Sequence, residues 1–293
     1  MKTDFLKGSW VALVTPFKEN LEIDFAAVEK LVDLHMRAGT DGLLICGTTG
    51  EAVTLSFSEK AELMKQVRRF SNGKIPLMFG SGTNDTSSAA ELTAKAQDLG
   101  ADAVLVVTPY YNKPPQAGLV AHFKKVASAT SLPVVLYNVP GRTGCNMLPE
   151  TVLTLAEISN IVAVKEASGN LDQTMEIVRR APEGFALFSG EDGLNLPIMG
   201  CGGIGAISVT ANVAPVMMKQ FCDAALSGNW GKARDLHYRL LDLHRNLFCE
   251  TNPLPAKAAL KHLGLMDDQV RLPLCRPSAR AYEIISRTLP GLE

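Results

Sequence analysis

Lys165 stands in an unusual place for a lysine, at the end of an apolar segment. Residues 161–164 (Ile-Val-Ala-Val) predict a buried parallel strand, and residues 166–170 (Glu-Ala-Ser-Gly-Asn) predict the turn after it. An amine at the carboxyl end of a buried strand is partly desolvated, which lowers its pKa and frees its lone pair. Such an amine can attack a carbonyl carbon and form a Schiff base. From this segment alone, a lysine that only marks the solvated end of a strand is an open alternative.

Tyr137 ends the preceding apolar segment as Lys165 ends the next one. Adjacent parallel strands lie ~4.8 Å apart, so these two strand ends are expected to bring a phenol to an amine. Arg142 follows in a glycine-flanked loop, and its guanidinium offers the two parallel donors that suit a carboxylate. The strand ends therefore favour a site that combines an amine, a phenol and a carboxylate-binding arginine.

Two glycine-containing loops also follow predicted strands. Residues 47–51 (Gly-Thr-Thr-Gly-Glu) combine a backbone that a carboxylate or phosphate can approach with the hydroxyls of Thr48 and Thr49. Residues 189–193 (Ser-Gly-Glu-Asp-Gly) form a second loop of this kind, in which Gly190 stands before two acids. For the first loop, a plain glycine turn is an equally good interpretation.

Tyr110 and Tyr111 lie in a loop that prolines stiffen, residues 108–114 (Thr-Pro-Tyr-Tyr-Asn-Lys-Pro). Aromatic residues on a surface loop more often anchor an interface than take part in chemistry. The sequence alone therefore favours an interface role for this loop.

Eight short apolar segments alternate with amphipathic ones along the chain. The predicted strands are residues 10–14, 43–46, 75–79, 103–107, 133–137, 161–164, 185–188 and 206–209. Strands without polar alternation are buried on both faces, and parallel strands need helical crossovers. Eight such units predict an α/β fold, the (β/α)8 or TIM barrel, whose usual size is ~250 residues. A doubly wound open sheet is the second candidate. In a barrel, the chemistry belongs to the loops after the carboxyl ends of the strands.

Capping residues predict where several helices begin and end. Helices are expected over residues 25–38, from Asp24 to Gly39, and over 56–70, from a capping box of Ser56 and Glu59; further ones are expected over 86–99, 230–249, 255–263 and 278–288. After residue 227 the pattern is wholly helical. The sequence thus predicts a barrel domain with the active site over residues 1–227 and a C-terminal helical domain, an appendage packed on the barrel, over residues 228–293.

Composition excludes several classes of protein. The 293 residues carry a net charge of −1, which gives no electrostatic case for binding nucleic acid or an anionic membrane. No segment approaches the ~18 apolar residues of a membrane span, and the N-terminus lacks a signal-peptide core. We expect a cytoplasmic globular protein without nucleic-acid or membrane partners.

Metal and nucleotide motifs are also missing from the sequence. The six cysteines have no C-x-x-C spacing and the five histidines no H-E-x-x-H spacing, so no metal site is predicted and the histidines are expected on helix surfaces. Residues 200–205 match G-x-G-x-x-G, but a strand-like segment follows them instead of the helix that dinucleotide binding requires.

Taken together, these motifs resemble the dihydrodipicolinate synthase (4-hydroxy-tetrahydrodipicolinate synthase) family. The resemblance covers essentially the whole chain and rests on residues 47–51, 110–114, 137–144, 165–170 and the tail segment 248–253. It implies a lyase of the class I aldolase type, a homotetramer built as a dimer of dimers, that condenses pyruvate with L-aspartate 4-semialdehyde in the diaminopimelate route of lysine biosynthesis. It implies no cofactor, because the imine itself is the electron sink.

The resemblance also implies a role for each matching residue. Lys165 would form the imine with pyruvate and Tyr137 would act as general acid and base. Thr48 would link Tyr137 to Tyr111, which a neighbouring subunit would supply, in a proton relay. Substrate binding would fall to Thr49 and the Ile207 backbone for the pyruvate carboxylate, to Gly190 in the same pocket, and to Arg142 for the carboxylate of the semialdehyde.

Three rival functions stay open. A sister aldolase, such as an N-acetylneuraminate lyase or a keto-deoxy-sugar acid aldolase, would share Lys165 and Tyr137, although Arg142 and the Thr48-Thr49 pair favour the synthase. A phosphate-binding barrel isomerase could use the glycines near Gly203 but would not need an imine lysine. The third rival is a non-catalytic barrel that serves as a binding module.

The sequence departs from the resemblance at the site where some members of the family bind inhibitory lysine. Tyr110 and Asn84 match that site, but Phe57 and Lys60 stand where it has histidines, or an aromatic residue and a histidine, and Ser88 stands where it has a glutamate. The ammonium of lysine needs an anionic partner when it is desolvated. We therefore predict weak or absent feedback inhibition, unless Glu59 or Glu91 takes the place of the missing carboxylate.

Overall fold

A computed structural model describes residues 3–289 of the chain. Eight short strands follow one another in chain order around a closed barrel, and the pairs β1–β2 and β3 to β8 are parallel. The strands are β1 Gly8–Ala12, β2 Gly42–Ile45, β3 Leu77–Gly80, β4 Ala103–Val107, β5 Val134–Asn138, β6 Ile161–Glu166, β7 Ala186–Ser189 and β8 Gly205–Ser208. The predicted (β/α)8 barrel is confirmed, and the open sheet is excluded.

Helices separate the strands, and four of them end the chain. In order they are α1 Phe25–Ala38, α2 Phe57–Phe70, α3 Thr86–Lys95, α4 Gln116–Ala127, α5 Pro140–Thr143, α6 Pro149–Ala156, α7 Leu171–Arg180, α8 Asn195–Gly200, α9 Pro215–Leu226, α10 Trp230–Asn246, α11 Leu254–His262 and α12 Ala279–Thr288. Short 3₁₀ turns lie at Ala52–Thr54, Asp192–Leu194 and Thr210–Asn212. The helical tail is confirmed, with ends that differ from the predicted ones by up to three residues.

The capping residues act as the sequence predicts. Asp24 accepts hydrogen bonds from the first amides of α1, and Gly39 ends that helix with a φ of 71°. The Ser56 hydroxyl accepts from the Glu59 amide, and the Glu59 carboxylate accepts in return from the Ser56 amide. These bonds satisfy amides that the first helical turn leaves without partners.

Several predicted ends differ from the observed ones, such as those of β1, β3 and α10, and for two others, α3 and β6, the structure shows the physical reason. Helix α3 ends at Lys95 and not at residue 99, because the amides of Ala96 and Gly100 bond to the carbonyl three residues back, as in a 3₁₀ turn. Strand β6 continues to Glu166, two residues beyond its apolar segment. Lys165 and Glu166 stay paired with both neighbouring strands, since a polar side chain does not end backbone pairing.

The described part of the chain divides into two compact units. One comprises residues 3–7 and Leu77–Ile207, and so contains β3 to β7 and most of β8. The other comprises Gly8–Pro76 and residues 208–289, with β1, β2 and the four C-terminal helices. The predicted domain boundary after residue 227 stays a prediction.

Within the first unit, strand pairing aligns the residues that could do chemistry. Tyr137 on β5 lies opposite Lys165 on β6, and Lys165 lies opposite Phe188 on β7. All three side chains are buried. Because side chains alternate between the two faces of a strand, residues in register at neighbouring positions point to the same face. The pairing therefore places the phenol and the amine on one face.

The prediction that the histidines lie on helix surfaces was wrong for four of the five. The buried ones are His35, His122, His237 and His244, whereas His262 is exposed. His35 shows how such a ring is accommodated: its Nδ1 lies 2.9 Å from the Thr40 hydroxyl, and burial lowers its pKa to about 3. A neutral ring with a hydroxyl partner is compatible with a core position, where a charged ring would be costly.

Among residues 3–289, no helix combines the length and the apolar character that crossing a membrane would require.

Candidate active site

Lys165 and Tyr137 are brought together at the carboxyl ends of β6 and β5. The Lys165 side chain is 5% exposed, and its Nζ lies 4.3 Å from the centre of the Tyr137 ring. Tyr137 is also buried, at 6% exposure. Lys165 is buried, so the alternative that it only marks the solvated end of a strand was wrong.

Burial also prepares the Lys165 amine for attack on a carbonyl. Burial, with a smaller contribution from the Arg142 guanidinium, lowers the pKa of Lys165 to about 8, against the opposing effect of Asp192 and Glu191. The neutral fraction of the amine therefore grows as the pH rises through about 8. A neutral amine is the nucleophile that imine formation requires.

Gly190 provides the space that Lys165 occupies. A Cβ atom on residue 190 would lie 2.9 Å from the Lys165 Cε, closer than carbon atoms pack. After it, Glu191 is partly buried; burial and the neighbouring Asp192 raise its pKa, while Lys165 opposes this. Gly190 is thus required for the lysine to reach its position, in addition to its predicted contact with substrate.

Arg142 lies on the short helix α5, which Gly144 ends with a φ of 69°. The Thr143 hydroxyl fixes this segment by sharing its one proton between the carbonyls of Val139 and Cys145, at 3.2 and 2.9 Å. The Arg142 side chain is exposed, yet its charge acts on Lys165. A guanidinium in such a position could hold a carboxylate beside the amine.

Tyr111 projects from its loop and is 88% exposed. Its backbone φ of 76° is rare for a residue with a side chain, and its amide bonds to the Thr143 carbonyl at 3.4 Å. Asn112 fixes the same loop by donating from Nδ2 to the Asn84 carbonyl at 2.8 Å. An exposed aromatic side chain on an ordered loop agrees with the predicted interface role.

Ile207 lies on β8 and is 1% exposed. The role predicted for it concerns its backbone and stays a prediction.

The second unit contains the loop of Thr48 and Thr49. Thr48 is exposed and Thr49 is 2% exposed. The Gly50 carbonyl accepts from the Thr15 hydroxyl at 2.7 Å, and a Cβ on Gly50 would lie 3.0 Å from the Leu13 carbonyl oxygen. The loop is therefore packed tightly against the segment that follows β1, as the close approach at Gly50 requires.

Asn252, in the helical tail, contacts Thr49. The sequence alone assigned no role to Asn252. Its Nδ2 donates to the Thr49 hydroxyl oxygen at 2.9 Å, with both side chains buried. Residue 252 lies in the tail segment that supported the family resemblance, and this was the only signal in the sequence.

Lys257 is a second buried lysine that the sequence did not single out. Burial lowers its pKa to about 8 also, but its Nζ lies 2.5 Å from the Glu51 carboxylate and donates to the Gln269 carbonyl at 2.7 Å. Arg271 extends this support, since its amide donates to the same carboxylate at 3.2 Å. An amine bound in this way anchors the tail to the loop after Thr49. Burial by itself therefore does not identify the nucleophile.

No group of three or more His, Cys, Asp or Glu residues within the part of the chain that the structure describes is arranged to hold a metal ion.

A closed barrel with a buried, pKa-lowered lysine at the carboxyl ends of its strands defines the structural class of this chain. Its sequence matches the model of the dihydrodipicolinate synthetase family over residues 5–290, and the chain belongs to that family.

The relatives of this chain are similar along nearly their full length. A 4-hydroxy-tetrahydrodipicolinate synthase of Alkaliphilus oremlandii (strain OhILAs) is 49% identical over 92% of each chain. The structure of a chloride-inhibited dihydrodipicolinate synthase from Acinetobacter baumannii, complexed with pyruvate, has a TM-score of 0.96 at 43% identity and covers 98% of both chains. A monomeric dihydrodipicolinate synthase variant also has a TM-score of 0.96, at 41% identity, covering 99% of this chain and 97% of that one.

Proposed function

We propose that this chain is a lyase that condenses pyruvate with L-aspartate 4-semialdehyde to give 4-hydroxy-tetrahydrodipicolinate, a step of lysine and diaminopimelate biosynthesis. The observation that carries the proposal is the buried Lys165 amine, 4.3 Å from the Tyr137 ring and with its pKa lowered to about 8. The names of the relatives, at 46–49% identity, supply the reaction.

In the first step, the neutral Lys165 amine attacks the keto carbon of pyruvate. The carbinolamine that forms loses water, and the nitrogen is left double-bonded to the former keto carbon. Tyr137 is the proposed acid that protonates the departing oxygen, because its ring lies against the amine. This step needs no cofactor, since the protonated imine attracts electrons from the adjacent carbon.

In the second step, the methyl carbon of the imine loses a proton and becomes the nucleophilic end of an enamine. It attacks the aldehyde carbon of the semialdehyde, whose oxygen takes a proton and becomes the 4-hydroxyl group. The amino group of the semialdehyde then attacks the imine carbon. Ring closure expels Lys165 as a free amine, so one water is lost over the whole reaction.

We assign the remaining roles from the family resemblance. Thr48 and the partner's Tyr111 would relay protons to Tyr137, while Thr49, Gly190 and the Ile207 backbone would bind the pyruvate carboxylate. Arg142 would bind the semialdehyde carboxylate, which its exposed position beside the amine favours.

We also propose that the enzyme acts in the cytoplasm as a homotetramer, a dimer of dimers. Tyr111, 88% exposed on a loop held by backbone and side-chain hydrogen bonds, supports a contact between subunits. Native mass spectrometry of the purified chain tests the tetramer, and a monomer with full activity would contradict it.

A comparison of substrates tests the proposed reaction. With pyruvate present, L-aspartate 4-semialdehyde should be consumed in an assay coupled to a reductase of the cyclic product, while N-acetylmannosamine and simple sugar aldehydes should react far more slowly. Faster turnover of an aldose or amino sugar would assign the chain to a sister aldolase. No turnover of any aldehyde would contradict an aldolase-type function.

A further inference from the structure

Glu166, which follows Lys165 on β6, is buried with its carboxylate fully engaged. Its side chain is 1% exposed and points to the opposite face of the strand from Lys165. One carboxylate oxygen accepts from the Ser168 amide at 2.6 Å, and the other accepts from Asn138 Nδ2 and Gln173 Nε2, each at 3.1 Å. The three donors are neutral, so the structure holds this anion by hydrogen bonds from groups that have been oriented towards it.

A chain of hydrogen bonds fixes that orientation. The Met147 amide donates to Asn138 Oδ1 at 2.9 Å, and because a backbone N–H can only donate, the nitrogen of the Asn138 amide must face the other way. This nitrogen also donates to Asn146 Oδ1 at 2.8 Å, so Asn146 Nδ2 is the atom that donates to Gln173 Oε1 at 2.9 Å. Gln173 Nε2 is thereby directed at Glu166. Both oxygen positions of residue 166 face donors, and an amide nitrogen fits neither.

The network joins the two strands that carry the reacting side chains. Asn138 follows Tyr137 just as Glu166 follows Lys165, and both pairs lie in register across β5 and β6. The hydrogen bond between Asn138 and Glu166 therefore joins the ends of β5 and β6 on one face of the strands. The Tyr137 phenol and the Lys165 amine lie on the opposite face of the same strand ends. A displacement of about 1 Å at a reacting group can cost on the order of a hundredfold in rate.

We propose that Glu166 is a positioning residue, which acts through Asn138 and Gln173 to hold the Tyr137 phenol and the Lys165 amine in the geometry for imine formation. The inference rests on the proposed function of Lys165 as the nucleophile. Glu166 would thus act beside the residues that meet the substrate, as a buried carboxylate that holds β5 and β6 through hydrogen bonds.

The first test replaces the acceptor while keeping its shape. In Glu166→Gln an amide nitrogen must face a donor, so the rate of borohydride-trapped imine formation with pyruvate should fall by about tenfold or more, and kcat with it, while the half-saturating pyruvate concentration stays within about threefold. The matched control is Asn160→Ala at the other end of β6. Asn160 donates to the carbonyls of Ala127 and Thr130 at 2.9 and 3.0 Å, so its loss should lower the melting temperature and leave the imine rate within about twofold.

A reversed network provides the second test. In Asn138→Asp with Glu166→Gln, residue 138 accepts and residue 166 donates, and a flip of Asn146 and Gln173 reverses every bond between the side chains of this network. The Met147 carbonyl loses only its longer bonds from the side-chain nitrogens of residues 138 and 173, at 3.5 and 3.3 Å. The Met147 and Ser168 amides keep their acceptors. Imine formation in this double variant should be at least about threefold faster than in either single variant, since the reciprocal pair restores both hydrogen-bond partners.

Three results would decide against the inference. An imine rate in folded Glu166→Gln within about twofold of wild type would overturn it, as would a double variant that recovers the melting temperature but not the imine rate. Wild-type protein that traps no pyruvate would overturn the proposed function, and the inference with it. Pyruvate trapping by wild type together with slow trapping in Glu166→Gln and recovery in the double variant is the expected outcome.

Discussion

Asn252 donates a hydrogen bond from Nδ2 to the hydroxyl oxygen of Thr49 at 2.9 Å. A hydroxyl that accepts from a fixed amide keeps its own proton for another acceptor. If Thr49 binds the pyruvate carboxylate, Asn252 is the residue that turns the Thr49 proton towards it. On that proposal, the helical tail would contribute to substrate binding without meeting the substrate.

Asn252→Ala should therefore weaken pyruvate binding more than it slows turnover. A neutral hydrogen bond contributes about 0.5–1.5 kcal/mol, so the KM for pyruvate should rise by roughly twofold to tenfold. Asn252→Asp should raise it further, because the Thr49 proton would then bond to the new carboxylate. Steady-state kinetics with pyruvate varied is the measurement, and an unchanged KM in both variants would exclude this role.

Arg142 is expected to select the second substrate and not the first. Arg142→Ala should still form the pyruvate imine, whereas turnover of the semialdehyde should fall by roughly tenfold to a hundredfold, since a charge-assisted contact contributes about 1.5–3 kcal/mol. Arg142→Lys is the matched variant, which keeps the charge but not the paired donors. Its turnover of the semialdehyde should lie between that of the wild type and that of Arg142→Ala. Equal semialdehyde turnover in all three proteins would reject the assignment.

Tyr111 is expected to work in the site of a neighbouring subunit. Lys165→Ala and Tyr111→Phe should each be nearly inactive alone, because each site would lack one of the two groups. Mixed tetramers should contain some sites with both groups and regain part of the activity. Native mass spectrometry must confirm the mixed tetramers; if they form and stay inactive, the shared site is wrong.

Feedback inhibition by L-lysine is expected to be weak or absent. The two carboxylates that could replace the missing glutamate are already engaged: Glu59 binds Arg271 at 2.5 Å, and Glu91 binds Lys95 at 2.6 Å. Ser88, at the position of that glutamate, carries no charge to offset desolvation of the lysine ammonium. A lysine titration of the coupled assay tests this, and half-inhibition below about 1 mM would show that another anion binds lysine.

The sequence predicted the barrel because each strand contains a short apolar segment, and it predicted the Lys165 and Tyr137 pair because both end such segments. Glu166 was part of a recognised motif, but the sequence gave it no partner, since its carboxylate is held by two side chains, Asn138 on β5 and Gln173 on α7, and by the Ser168 amide. The histidines were misplaced for a related reason: the hydroxyl partners of three of the buried ones, such as Thr40 for His35, are visible only in three dimensions. Local patterns predict elements and their ends, whereas satisfaction of buried polar groups depends on tertiary contacts.

The proposal that Lys165 is the nucleophile can be tested against a second buried lysine, because burial lowers the pKa of both Lys165 and Lys257 to about 8. Only Lys257 is held by a carboxylate, with its Nζ 2.5 Å from Glu51. We attribute nucleophilic character to Lys165, which lies against Tyr137 and which no carboxylate holds at such a distance.

The decisive measurement is peptide mapping by mass spectrometry after borohydride reduction with pyruvate. We expect one reduced pyruvyl group per chain, located on Lys165, with Lys257 unmodified and Lys165→Ala unlabelled. Label on Lys257, or equal labelling of Lys165→Ala, would contradict the claim that Lys165 forms the covalent intermediate.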